Sequence, residues 1–316
     1  MYAAVVTAFD TPPAYREFPR PAPQAPDEIL VDVIASGLHP RVRSQAAGSH
    51  YTSSGELPLV PGIDGVGRAS DGTVRYFVLP DTTMGAMAQQ TVIDRRRSVV
   101  LPDGTDPILV AAAANPVMSS WVALRQRIQF EAGQTVLVLG ATGSAGQLAV
   151  QVAKHFGAGH VIGAGRDTTR LAALAALGAD STITLDGASA TSDLAHAARD
   201  VDVVLDYLWG PITARLMAGI AGARSDPGKP LNWIEIGSVA GASADIPSAA
   251  LRAIRLNLVG SGQGSVRAGD ILAEMPALIH EISSGTFDID VRAVPLTDVE
   301  NAWADTAGRR RVVLTP

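Results

Sequence analysis

Apolar positions along this chain change their period twice. Up to about residue 110 they come in short runs rich in β-branched and aromatic residues, at 2–7, 28–36, 65–69, 73–79 and 90–93, separated by proline and glycine. Runs of that length predict strands. Pro12-Pro13 and the stretch from Pro19 to Pro26 break any helix between the first two, so this part is expected to form a compact, mostly antiparallel β domain. From about Asp106 the chain turns alanine-rich and helical and then alternates. Strands are expected at 135–139, 160–164, 181–185, 202–206, 231–236 and 257–259, with helices at 147–156, 168–177, 192–199 and 212–220 between them. Gly178 is placed to end the second of these helices at its C′ position. Strands interleaved with helices in this way make a doubly wound parallel sheet, whose binding crevice lies at the carboxyl ends of the strands. Beyond residue 266 come a helix over 268–284, a β piece at 290–294, a short helix near 299–306 and a final strand at 311–314. These β pieces do not continue the alternation, so the chain is expected to return to its first domain. The expected partition is 1–112, 113–265 and 266–316, in an α/β fold.

Composition narrows the classes. At 316 residues the chain is long enough for roughly two domains with real cores. A net charge of -6 argues against nucleic acid as a main partner, and the two dense basic clusters, Arg95-Arg96-Arg97 and Arg309-Arg310-Arg311, read as solvated turns. Without cysteine, neither disulfides nor a thiolate nucleophile is available, which suits a cytoplasmic location. No apolar run is expected to reach the length of a membrane span, and the N-terminal Met1-Tyr-Ala-Ala-Val-Val reads as a strand rather than a signal peptide.

The chemistry begins at Thr135-Val-Leu-Val-Leu-Gly-Ala-Thr-Gly-Ser-Ala-Gly-Gln147. A strand, a glycine turn and a helix follow one another without a break, which opens a helix N-terminus to an anion. Ala141, Thr142, Gly143, Ser144, Ala145 and Gly146 form the candidate pyrophosphate cradle, with Gly143 letting backbone approach the phosphates and Gly146 letting the helix pack on the sheet. Ala141 stands at the first glycine of the G-x-G-x-x-G pattern, and a glycine turn at this place also serves purely structural ends. The second strand ends at Gly165-Arg166, with Arg170 one helical turn later. Arginine there suits the 2′-phosphate of NADPH, while Arg166 also reads as a surface residue in a turn. Asp167, which precedes Thr168-Thr-Arg-Leu, reads better as a helix N-cap than as a ribose-binding acid.

In collinear order the chain shows Ala35-Ser-Gly-Leu-His-Pro40, Leu57-Pro-Leu-Val-Pro-Gly-Ile-Asp-Gly-Val-Gly67, Val138-Leu-Gly-Ala-Thr-Gly-Ser-Ala-Gly146, Gln151-Val-Ala-Lys154, Leu177-Gly-Ala-Asp180 and Asp202-Val-Val-Leu-Asp206. Together these resemble the medium-chain dehydrogenase/reductase superfamily, in its zinc-free quinone oxidoreductase branch. The resemblance implies a GroES-like β-rich catalytic domain, a Rossmann cofactor domain with a cleft between them, and NADPH-dependent reduction of a quinone, enone or similar conjugated carbonyl, commonly in a homodimer. Zinc-dependent relatives use a cysteine at about the place of His39 and a histidine in a Gly-His-Glu motif. Here the corresponding residues are Gly62-Ile63-Asp64, and the four-cysteine structural lobe has no counterpart, so no metal is expected. The branch's usual Asn-Pro-x-Asp is His39-Pro40-Arg41-Val42 in this chain, a departure that leaves the substrate preference of better-known members open.

Direct hydride transfer without metal or thiol leaves the protein to position the substrate and to stabilise charge on its oxygen. Tyr51, which follows Gly48-Ser-His where the family commonly places a cleft tyrosine, is the leading donor, since a phenol with a pKa of about 10 keeps its proton at neutral pH; an aromatic lid that only packs is the other reading. His39 is either a proton-handling residue of the cleft or a polar group fixing a loop, and His50 is a weaker candidate. Met118, Ser119 and Ser120 on the long helix are candidates for the substrate pocket. Gly237-Ser238 and Gly260-Ser261, after the fifth and sixth strands, correspond to family loops that pass the nicotinamide. The alternatives are a cofactor-binding but catalytically idle redox sensor and a short-chain dehydrogenase. The latter needs Tyr-x-x-x-Lys, whereas Tyr207 is followed by Leu208, Trp209, Gly210 and Pro211.

Overall fold

The computed structural model describes residues 1–187, 189–305 and 310–316. It divides into two compact units, one of Met1–Asn115 with Met275–Pro316 and the other of Pro116–Glu274.

The first unit opens with the hairpin β1 (Tyr2–Val5) and β2 (Ala14–Glu17). β3 (Glu28–Gly37) leads into the short helix α1 (Pro40–Ala46), started by Pro40 just after the extended His39. β4 (Asp64–Ala69), β5 (Val74–Val78), β6 (Gln90–Asp94) and β7 (Ser98–Val100) follow. β4 pairs antiparallel with both β3 and β5, β7 closes on β5, and β6 lies along the start of β3. Arg95–Arg97 form one turn in which Arg95 and Arg96 are exposed, as their sequence suggests, while Arg97 is half-buried and donates from Nε to Val78 O at 3.2 Å.

α2 (Pro107–Val122) runs on through Arg127 as one helical stretch. The stretch has 21 residues and its most apolar 18-residue window has a mean hydropathy of 1.5, so by length and composition it meets the measure for crossing a membrane, contrary to the sequence expectation. Burial of 67% of its most apolar window inside the protein marks it as a core helix instead.

The second unit alternates β8 (Thr135–Leu139), α3 (Ser144–His155), β9 (His160–Gly165), α4 (Thr168–Ala173), β10 (Ser181–Thr184), α5 (Ala190–Ala197), β11 (Val203–Asp206), α6 (Gly210–Ala223), β12 (Leu231–Glu235), α7 (Ser248–Ala253) and β13 (Leu256–Gly260). The six strands are all parallel, in the order β10-β9-β8-β11-β12-β13. This is the doubly wound Rossmann arrangement. Leu137, Leu139, Ile162, Val204, Leu216 and Trp233 are buried together in its core, which explains why these strands read as continuous apolar runs. α4 is shorter than expected and gives way to turns up to Gly178. There a φ of +103° reverses the chain while the Ala179 amide donates to Leu174 O, as in a glycine-terminated helix end.

α8 (Ala268–Ser283) brings the chain back to the first unit, where β14 (Val291–Pro295) pairs parallel with β15 (Arg311–Thr315) and β15 pairs antiparallel with β3. Between them α9 (Val299–Ala304) packs Val299 and Ala302 into the same core as Val5, Val60 and Leu314. The helix expected near 299–306 reaches residue 306, and the second basic cluster begins at Arg309; both positions lie outside the described residues. Arg311 corrects the solvated-turn reading of that cluster, since as the first residue of β15 it is only 6% exposed.

Candidate functional site

The register of the parallel sheet puts Ala164, Leu139, Asp206, Glu235 and Gly260 in one row at the carboxyl ends of five strands. The loops that follow these residues line one crevice of the second unit. In the first of them Gly140 turns the chain at a φ of +84°, and the amides of Gly140 and Ala141 both donate to Ala164 O at 2.9 Å. Gly143 then caps α3 without a side-chain acceptor. The first-turn amides at Ser144, Ala145 and Gly146 therefore lie outside the helix ladder and, with the dipole, favour an anion. A Cβ on Gly146 would sit 2.2 Å from Gly140 O and 2.7 Å from Ala141 Cα, so only glycine lets the helix close on the turn. At Gly143 the nearest such neighbour is Gly140 O at 3.5 Å, which leaves room above the loop. Ala141 is fully buried beneath it. These residues fit a pyrophosphate cradle.

The rim is ordered by charge. Arg170 donates from Nη1 to Thr142 O at 2.7 Å and so braces the cradle. Asp167 accepts the Arg170 amide at 3.0 Å, a helix cap as its sequence position suggests. Arg166 is exposed and has no hydrogen-bond or ion-pair partner among the described residues, a guanidinium at the end of β9 available to a phosphate. Further along the row, the Gly237 amide donates to Asp206 O at 3.2 Å, the Ser261 amide donates to Glu235 O at 2.8 Å, and Arg127 Nε reaches Gly260 O at 2.7 Å. Ser238 is exposed.

Three residues here were missed by sequence reasoning. Asp206, fully buried, accepts from the amides of Leu208 (2.8 Å) and Trp209 (2.9 Å), from Thr213 Oγ1 (2.6 Å) and from Trp233 Nε1 (3.0 Å). Its grip accounts for Trp209 keeping a φ of +54°, a left-handed conformation rare for a bulky side chain. Tyr207 bonds Ser119 Oγ at 2.8 Å, and as the Ser119 hydroxyl itself donates to Pro116 O at 2.7 Å, the phenol is the donor. Burial pushes that phenol up to about 12. Glu235 is half-buried, and burial followed by the nearby Asp206 carboxylate raises its carboxyl above the ordinary value. Their one sequence signal is position: each lies at or just beyond the carboxyl end of a strand. Ser119 is thus held within a hydrogen-bond pair, Ser120 is buried, and Met118 is half-buried on α2.

In the first unit, His39 is 2% exposed and stands beside Asp64, with Nε2 at 3.1 Å from Oδ1. Tyr76, also buried, donates its phenol to Asp64 Oδ2 at 3.0 Å. Burial lowers the pKa of His39 against the opposing pull of Asp64, and drives the Tyr76 phenol well above its usual range. Arg311 joins the group; burial brings its guanidinium down to about 10 while Asp64 and Tyr76 support the charge. A neutral imidazole facing a carboxylate carries its proton on Nε2. That leaves Nδ1 as an acceptor, and it has no hydrogen-bond partner among the described residues. His39 in this state accepts a proton and does not offer one.

Tyr51 is 71% exposed, on a loop after α1, with its ring 4.2 Å from that of His50. His50 Nδ1 lies 2.8 Å from Thr52 Oγ1. Burial, and then the Arg41 charge, brings the His50 imidazole down to about 4. Among the described residues no group of three or more His, Cys, Asp or Glu side chains is arranged to hold a metal ion. A hollow of about 210 Å³ lined by Thr135, His160, Ser181 and Arg199 lies at the amino ends of the strands, away from the crevice.

Residues 145–218 match the family model described as zinc-binding dehydrogenase. The chain is 31% identical to the Probable NADPH-dependent quinone reductase tdiC of Emericella nidulans, an alignment covering 99% of this chain and 100% of that protein. It is 27% identical to the chloroplastic NADPH-dependent alkenal/one oxidoreductase of Arabidopsis thaliana, over 50% of this chain and 45% of that one. Among solved structures, the quinone oxidoreductase of Thermus thermophilus superposes with a TM-score of 0.84 at 24% identity, covering 100% of both chains.

Proposed function

The chain belongs to the quinone oxidoreductase-like branch of the medium-chain dehydrogenase/reductase superfamily, and on that premise we propose that it is a zinc-independent, NADPH-dependent reductase of a quinone, enone or similar conjugated carbonyl. The observation that carries the cofactor half is the start of α3, which has no side-chain cap, backed by the Gly140–Gly146 turn and flanked by Arg166, which has no partner among the described residues. Ala141 to Gly146 would hold the pyrophosphate, Arg166 and Arg170 the 2′-phosphate side, and the backbone at Gly237-Ser238 and Gly260-Ser261 the nicotinamide end. Bound NADPH supplies a hydride, and the remaining work falls to the protein's own groups.

Reduction leaves negative charge on the substrate oxygen, and the Tyr51 O–H is the donor proposed to meet it. The proton that joins the reduced substrate comes from the Tyr51 O–H, which solvent resupplies at this exposed position, and His39, whose Nδ1 only accepts, is not its source. Zinc independence is supported by Ile63 and Asp64 standing where a histidine and a glutamate would be needed. The absence of cysteine and the net charge of -6 support a small-molecule substrate in a reducing, cytoplasmic setting over a nucleic-acid partner. A homodimer, common in the branch, completes the proposal, and sedimentation of the purified chain tests it. Loss of NADPH absorbance over a panel of quinones and conjugated enones tests the reaction. Turnover on members of either class supports it; tight NADPH binding with turnover on none would replace it with a redox sensor.

A further inference from the structure

The loop from Ser49 to Glu56, which carries Tyr51, is tied down beside that residue through Thr52. Its backbone bonds are local: the Ser49 and His50 amides reach Ser44 O at 3.0 and 3.3 Å, and the Ser53 amide reaches His50 O at 2.9 Å. Thr52 makes the long reach. Its hydroxyl donates to Asp81 Oδ2, 29 residues further along the chain. The same Asp81 oxygen receives Arg41 Nη2 at 2.5 Å, and Arg41 Nη2 also donates to Thr52 Oγ1 at 2.7 Å. The other carboxylate oxygen takes Gln45 Nε2 at 2.9 Å, while Gln45 Oε1 accepts the Gly62 amide at 3.0 Å. Asp81 and Arg41 are only 13% and 14% exposed, so the pair is shielded from solvent and salt.

Thr52 has one hydroxyl proton, given to Asp81, and its oxygen accepts from Arg41, while its backbone amide donates to His50 Nδ1 at 3.2 Å. Asp81 accepts three donors and offers none. An amide in its place would turn an NH2 group toward the Thr52 or Gln45 donors. The hub also joins α1, which follows directly after His39, to the segment leading into Asp64 through Gln45 and Gly62.

We propose that Asp81 is a positioning residue that acts through Thr52 and Arg41 to set where the Tyr51 phenol points. The inference rests on Tyr51 being the donor proposed above. In its adjacent position Thr52 fixes the backbone on one side of Tyr51, and the His50 ring, itself held by the Thr52 amide, fixes the aromatic face. A displaced donor of this kind costs on the order of 10- to 100-fold in rate without any contact of Asp81 with the substrate.

The test is a double-mutant cycle on the full-length protein, read as kcat/KM for an accepted quinone or enone, with hydrogen–deuterium exchange of the loop as a second readout. Thr52→Val and Tyr51→Phe should each lower kcat/KM, and the double variant should be no worse than Tyr51→Phe alone, because the tether acts through the phenol. Thr52→Ser, which keeps the hydroxyl, should restore wild-type values, and Asp81→Asn should behave as Thr52→Val does. Thr52→Val should also speed amide exchange in residues 49–56 and leave the parallel sheet of the second unit unchanged. Additive losses in the double variant would overturn the proposal while leaving Tyr51 as donor intact. Faster loop exchange with unchanged kcat/KM would overturn it too. Wild-type kcat/KM in Tyr51→Phe would remove the Tyr51 assignment itself, and the proposal with it.

Discussion

Arg166, the buried His39 and the half-buried His50 show how far single residues govern this protein. Arg166 extends from the end of β9 with no partner for its guanidinium among the described residues, whereas Arg170 is already committed to Thr142 O. Arg166→Ala should therefore remove most of the preference for NADPH over NADH, weakening NADPH by about 10- to 100-fold with NADH little changed, as loss of a charged hydrogen-bond partner implies. Titration calorimetry with both nucleotides checks it, and equal affinities in the parent protein would refute the assignment. His39 and His50 are both held neutral by burial, with pKa values below the ordinary 6.5. Below pH 6.5 the unfolded chain takes up protons that the folded chain refuses. Their contribution to stability is therefore complete above about 6.5 and declines as the pH falls toward 4, where His50 protonates in the folded state as well. Urea midpoints measured from pH 8 to pH 4 should fall across that window; a flat profile would contradict the burial of both rings. Sequence alone singled out His39, His50 and Tyr51, but the tautomer of His39 depends on Asp64, and Asp64 is 25 residues away along the chain.

At the scale of elements, the glycine turn was legible because its chemistry is local: strand, Gly140 to Gly146, helix. The start of α3 was placed three residues late from the pattern, since Ser144-Ala-Gly146 carries no apolar periodicity and the helix is begun there by its packing on the turn. β2, β7, α1 and α7 were missed for a related reason. Each is three to seven residues long and held by neighbours remote in sequence, such as β7 on β5 and α1 on Asp81. Gly146→Ala belongs at this scale. The added Cβ would meet Gly140 O at 2.2 Å, backbone that cannot yield. We expect a loss of about 1–3 kcal/mol in urea unfolding and a rise in the NADPH Kd of at least about tenfold. Wild-type affinity in this variant would show that the turn does not seat the nucleotide.

For the molecule as a whole, the return of the chain to its first unit was readable from β pieces that ignored the preceding alternation, and the parallel sheet from its continuous apolar strands. The Asp81 hub was not readable, because it assembles side chains from α1, a loop and the segment after β5, and no spacing in the sequence links them. The departures at His39, Ile63 and Asp64 support the proposed reduction that uses no metal. Initial rates of NADPH consumption, with quinone and enone acceptors, by enzyme exhaustively treated with a chelator test that proposal most directly. The account predicts one reduced product per NADPH consumed at a rate the chelator does not change. Activity lost on chelation and restored by zinc would contradict it.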